Sequence, residues 1–266
     1  MKNGREQYKT AIEKELKLVR KQESALQRAT QKSGTSKWKE TLSKKVPEKV
    51  YVNLQKAFSK AFFLIFEKGT GIIEKMYDQE SIGQEYLIHE FAFQLKADRA
   101  SLKKLRKTVK MENLKNMAVS GGEGIGLGLL GIGLPDIVIF TGLLLKGIYE
   151  TALRYGFDYN SEKERYFILK LMEVSVKKGE DWEEGNREIE EFLSGRMEEK
   201  NWAEAGKEQI ARTAEAFAMD MLFLKFIQGL AVVGIIGGAG NSVYYNKVMK
   251  YVELKYRKRY LIGIYG

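Results

Sequence analysis

Two long stretches of this chain are almost free of charge and dense in glycine, and they limit what it can fold into more than any other feature. Residues 124–145 hold a single charged side chain, Asp136, and residues 226–246 hold none. The first stretch is entered through GGEGIGLGLLGIG at 121–133, seven glycines in thirteen positions. As helices rising about 1.5 Å per residue, each reaches about 30 Å, enough for the central rod of a bundle or for a bilayer core. The pairs Gly124/Gly128 and Gly234/Gly238 are spaced four apart, which lets two helix backbones approach closely. Spanning, shallow insertion and a soluble core all stay open on this pattern. Asp136 weighs against deep burial in lipid, where a mid-span charge costs at least about 2.5–3.5 kcal/mol. The expected arrangement packs the two stretches together through these four glycines. Asp136 then sits at a kink made by Pro135, bonded to freed backbone N–H groups or to a basic partner.

Elsewhere apolar residues recur at helical spacing, and no run shows the two-residue alternation of a half-buried strand. Ile12, Leu16, Val19 and Leu26 make one face. Val50, Leu54, Phe58, Ala61, Phe62 and Ile65 make another, beginning just after Pro47, where a missing N–H costs little. Helix is expected over 72–95 with a break near Gly83. A basic amphipathic helix follows, with Leu95, Leu102, Leu105 and Val109 on one side and Lys96, Arg99, Lys103, Arg106, Lys107 and Lys110 around the rest. Gly156 stands where a helix-terminating glycine belongs, and Ser161 with Glu164 has the spacing of a capping box. Trp182 and Phe192 anchor an acidic helix over 180–199, and a long helix starts near Trp202. The expected fold class is all-α, a helical bundle around the two glycine-rich apolar helices. Residues 36–262 form that domain, and residues 1–35, set off by a run containing Gly34, form a mobile, basic helical extension.

Composition closes off most chemistry. With no cysteine and one histidine, His89, the chain builds neither thiol catalysis, a Cys-based zinc site nor a multi-histidine metal centre, and no metal or cofactor is expected. Gly126-x-Gly128-x-x-Gly131 matches a dinucleotide fingerprint in letters, but no strand precedes it and Pro135 interrupts the helix that should follow. His89 and Glu85 lie on one helix face as an acid/base pair could, yet no nucleophile or pocket accompanies them, and no catalytic residue is assigned. Met1 to Arg20 lacks the apolar core of a secretory signal.

Charge points to a partner instead. The net charge is +10, and it is unevenly placed. Residues 1–50 carry fourteen basic and six acidic side chains, residues 226–266 six and one, and residues 146–225 thirteen and eighteen. Basic ends of this kind suit an anionic membrane surface. In the tail, Lys247, Lys250, Lys255, Arg257, Lys258 and Arg259 alternate with Tyr244, Tyr245, Tyr251, Tyr256 and Tyr260, a pairing that fits the headgroup level of a bilayer. These six cations, with those of 96–110, are the expected lipid-facing residues. No RNA- or DNA-binding motif accompanies them, so nucleic acid is not an expected partner.

Several of these motifs together resemble the bacterial EcsC family. They are Gly133-Leu134-Pro135-Asp136 leading into an apolar helix, Tyr155-Gly156-Phe157-Asp158, the SEKER run at Ser161–Arg165, and VGIIGGAGN at 233–241 before a basic tail. Trp38 and Val46-Pro47-Glu48-Lys49 resemble the family's upstream region, so the resemblance covers residues 36–262. Tyr159 and Asn160 depart from it, where the family often has Pro or acidic residues. The resemblance implies a helical protein on the cytoplasmic side of the bacterial membrane, linked to transport or envelope processes, and it brings no catalytic residues. Pro135, Asp136 and Asp158 are read from the residues themselves as structural positions. Three classes of function stay open: a membrane-surface accessory protein binding anionic lipid, a soluble partner of a membrane transporter, and an enzyme acting on lipid. Glycine contacts between subunits are also compatible with a homo-oligomer.

Overall fold

The computed structural model describes residues 2–31, 46–68, 70–127, 134–227 and 239–265, with side chains apart from those of 2–5, 67–68, 70, 72, 119–127, 134–136, 225–227 and 239–241. The elements are α1 (Lys2–Gln31), α2 (Glu48–Lys68), α3 (Thr70–Glu74), α4 (Gln79–Lys96), α5 (Arg99–Leu127), α6 (Leu134–Arg154), α7 (Glu162–Val176), α8 (Gly179–Leu193), α9 (Trp202–Ile227) and α10 (Ala239–Tyr265). No strand occurs among the described residues, and the fold is all-α.

Local signals set the helix ends. α6 closes as a Schellman turn: Gly156 takes φ +78°, its N–H reaches Leu153 O at 2.9 Å, and Phe157 N–H reaches Ala152 O at 2.9 Å. Ser161 then caps α7 by accepting from Glu164 N–H. The break expected at Gly83 falls earlier. Asp78 caps α4 by accepting from Ser81 N–H, and the helix runs straight through Gly83, which costs only about 1 kcal/mol against alanine in a helix. The helix expected from Leu95 onward is also divided. Ala97 takes a left-handed conformation, φ 48°, and Asp98 accepts from Ser101 N–H at 2.9 Å to start α5. Leu95 thereby belongs to α4. Pro135 lies in the first turn of α6, where its missing N–H breaks no helical bond.

The centre of the described fold is α7. Every side chain from Glu164 to Val176 except Arg165 is buried, because Phe167, Ile168, Leu169, Leu171, Met172 and Val174 cover the whole circumference. α8, α9 and α10 pack around it, and α9 packs in turn on α2. Of the glycine-rich stretches, α6 carries buried Ile137, Phe140, Leu144 and Leu145 against α2, α4, α5 and α10. Gly128, Gly234 and Gly238 lie outside the described residues, and of Gly124 and Asp136 only the helical backbone is described. A close approach between α6 and α10 is described at Gly147, a residue the four-residue spacing does not single out. A Cβ there would stand 2.0 Å from the Tyr245 hydroxyl.

The N-terminal helix is docked. Ile12 and Val19 are fully buried, and α1 packs on α10, α5 and α8. Glu15, itself buried, receives Arg99 at 2.8 Å and Arg106 at 2.6 Å from α5. The basic extension expected to be mobile is thus held by an apolar stripe and an interior carboxylate.

Candidate anion-binding groove

The last helix turns most of its cations inward. Lys255 is 0% exposed, with Nζ 2.6 Å from Glu23 of α1 and 2.6 Å from Glu190 of α8. Lys258 reaches the same two carboxylates at 2.9 and 2.7 Å. Arg259 holds both oxygens of Glu164 at 2.8 and 2.7 Å, while the Tyr256 hydroxyl donates to that carboxylate at 2.7 Å. Lys247 meets buried Asp220 at 2.6 Å. The lipid-facing assignment of Lys255, Lys258 and Arg259 is therefore corrected, and Lys247 is half-buried in an ion pair. α10 is packed by α1, α5, α6 and α7, so its cations find carboxylates on those and neighbouring helices instead of solvent. Burial pushes the Glu190 carboxyl up, but Lys255 and Lys258 outweigh it and hold the group below its ordinary range.

Two tail cations behave differently. Lys250 is exposed, Arg257 is buried, and neither forms an ion pair among the described residues. Both line a cavity of about 530 Å³ between α1, α5 and α10. Arg106, Lys107 and Lys110 of α5 line it too, so the two basic segments singled out in the sequence converge on one groove. Its apolar wall comes from Leu18, Leu26, Leu114, Met117, Met249 and Leu254. The carboxylate in the lining, Glu253, is raised above its ordinary value by burial, against the opposing pull of the Asn113 side chain, Lys110 and Arg257. Asn113 donates to it at 2.6 Å. Burial also lowers Arg257 from its usual value. Its guanidinium reaches the Gln22 side chain, and its Nε has no hydrogen-bond partner among the described residues.

A second feature lies on α4. Leu87, Ile88, Phe91 and Leu95 are 63–69% exposed and share one helix face, while Ile82 and Phe93 point into the protein. Lys96 stands at the end of that helix, and Lys103 and Lys104 on the adjoining α5 are exposed as well. Lys104 is near enough to His89 of α4 to reinforce the depression of its pKa that burial begins. The sequence pattern concealed this stripe, because α4 carries large apolar residues on both faces.

The remaining sequence candidates take structural places. Glu85 pairs with Arg154, and both act on His89, Glu85 raising its pKa and Arg154 lowering it. Asp158 closes a local turn, accepting from Asn160 N–H at 2.9 Å. The residues that precede the fingerprint-like glycines are helical, Arg99–Leu127, where a nucleotide site needs a strand.

Fold and site together define an all-helical protein whose terminal helices are clamped by interior ion pairs, with a cationic groove left between them. The chain matches the EcsC protein family over residues 9–261 and belongs to it. The match takes in most of α1, a region the motifs alone placed outside the resemblance. No curated protein and no solved structure matches the chain.

Proposed function

We propose that this protein is a membrane-surface accessory protein that docks on the anionic cytoplasmic face of the cell membrane through α4, in support of transport or envelope processes. The observation that carries the reading is the exposed stripe Leu87, Ile88, Phe91 and Leu95 beside Lys96, Lys103 and Lys104. Among the described residues no helix is long and apolar enough to cross a membrane, and a stripe of this kind suits shallow burial at the headgroup boundary. At about two-thirds exposure the four side chains have on the order of 1–2 kcal/mol each to gain from leaving water. Near an anionic leaflet, each lysine adds about 1 kcal/mol. This assignment moves the docking surface from the tail, whose cations are largely engaged within the protein, to α4 and the start of α5.

Vesicle sedimentation tests it. The protein should pellet with phosphatidylglycerol vesicles, less with phosphatidylcholine vesicles, and less as salt rises. A Leu87→Glu/Phe91→Glu variant, altered only at exposed positions, should stay in the supernatant while keeping its helical circular dichroism. Undiminished pelleting of that variant would show that α4 is not the docking surface.

A further inference from the structure

We infer that the groove between α1, α5 and α10 is a binding site for one phosphate-headed amphiphile, the phosphate held by Arg257, Lys110 and Lys250 and the chain lying on the leucines and methionines of the wall. Arg257 is 6% exposed, lines the cavity, and lacks both an ion pair and a partner for its Nε among the described residues. A buried guanidinium is normally matched by a carboxylate or an equivalent anion, because the desolvated charge is otherwise expensive. Lys255, the other buried cation among the described residues of the last helix, follows that rule with two carboxylates. Arg257 has a neutral amide from Gln22. Glu15 and Glu253 act on it only through space, without an ion pair, so a bound phosphate would be its first direct anionic partner.

Its chemistry follows from the lining. Arg106 is already matched by Glu15, which leaves Arg257, Lys107, Lys110 and Lys250 as cations without ion pairs among the described residues. Against them stands Glu253, whose negative charge is disfavoured by burial. A phosphate, with up to two charges and several acceptor oxygens, answers this set better than a carboxylate, and guanidinium binds it in two-point geometry. Leu18, Leu26, Leu114, Met117, Met249 and Leu254 give the lining an apolar wall, which free phosphate would not use. A volume of about 530 Å³ lies within the range of small-molecule sites. The inference does not rest on membrane docking through α4, since a monomeric amphiphile can reach the groove from water.

Isothermal titration of the full chain with dodecyl phosphate below its micelle concentration tests the site, with inorganic phosphate and dodecyl maltoside as comparisons. One equivalent of dodecyl phosphate should bind at least tenfold more tightly than inorganic phosphate, and dodecyl maltoside should not compete. Arg257→Met should weaken binding about tenfold or more, the range for a charged hydrogen-bonded contact. Lys110→Glu/Lys250→Glu, altered at exposed residues that leave packing intact, should weaken it comparably and keeps the test valid if the Arg257 variant misfolds. Equal affinity for inorganic and dodecyl phosphate would overturn the amphiphile. Absence of binding, or binding unchanged in the double variant, would overturn the site. The Leu87→Glu/Phe91→Glu variant should bind dodecyl phosphate normally, so the groove and the docking face fail separately.

Discussion

Replacing Lys255 by methionine separates a structural tail from a lipid-facing one. The substitution keeps most of the aliphatic stem and removes a charge that is fully buried and lies 2.6 Å from each of two carboxylates. Losing one partner of a buried pair generally costs about 3–5 kcal/mol, because the other charge stays behind desolvated. Here the loss is smaller. Glu23 and Glu190 side chains are 17% and 32% exposed, and Lys258 still contacts both, so about 2–3 kcal/mol is the reasoned cost. At about 2–4 °C per kcal/mol for a chain of this size, the Tm should fall by about 4–12 °C. Adding Glu190→Gln should recover part of that loss, since one uncompensated charge is then gone and coupled neighbours are not additive. Thermal unfolding by circular dichroism reads both effects, and vesicle sedimentation of the folded variant should match the parent. A Lys255→Met protein that melts within about 1 °C of the parent but no longer pellets with anionic vesicles would show that Lys255 is not an interior ion-pair partner and return the tail to the membrane.

Two further outcomes follow from other parts of the fold. Gly147→Ala should destabilise by about 1–3 kcal/mol in urea unfolding, because its Cβ would stand 2.0 Å from the Tyr245 hydroxyl and 3.0 Å from its Cζ in a buried site; a change below about 0.5 kcal/mol would mean that the ring moves freely. Lys178 is pushed down to about 8 by burial, with Lys247 adding to the shift and Asp220 opposing it. Between pH 8 and 10 the unfolded chain therefore keeps a proton that the folded chain gives up, so stability rises with pH through that window. Buried tyrosines such as Tyr155 and Tyr256, raised above their ordinary value, act in the opposite sense above pH 10. The rise should shrink in Lys178→Met, and an identical pH profile in the two proteins would contradict the assignment.

What was legible in the sequence was local. The Gly156 turn and the Ser161 cap depend on neighbours a few residues apart, and the stripes of α1 and α2 show as spacing alone. Glu164 illustrates the limit: its backbone N–H is capped by Ser161 as the spacing implies, but its carboxylate goes to Arg259 and Tyr256 and not back to the cap. The fate of the tail could not be read from the chain in the same way. Lys255 and Glu23 are 232 positions apart, and a run of alternating tyrosines and cations looks the same on a membrane as in a core. Its one distinguishing mark was the density of large apolar residues around the helix: Val248, Met249, Val252 and Leu254 join the tyrosines in the interior and leave little free surface. Gly147 stands apart from the glycine clusters, so its spacing does not mark it as a helix contact. The convergence of Lys107 and Lys110 with Lys250 and Arg257 on one groove depends on α5 packing along α10, which neither segment announces.

Depth of insertion at α4 is the most direct measurement. A Phe91→Trp variant, with the parent protein's own tryptophans as background, should gain a component that shifts to the blue with phosphatidylglycerol vesicles and is quenched by lipids brominated near the headgroup end of the acyl chain. If the protein pellets with those vesicles while that added fluorescence neither shifts nor is quenched, α4 is not the element that enters the lipid.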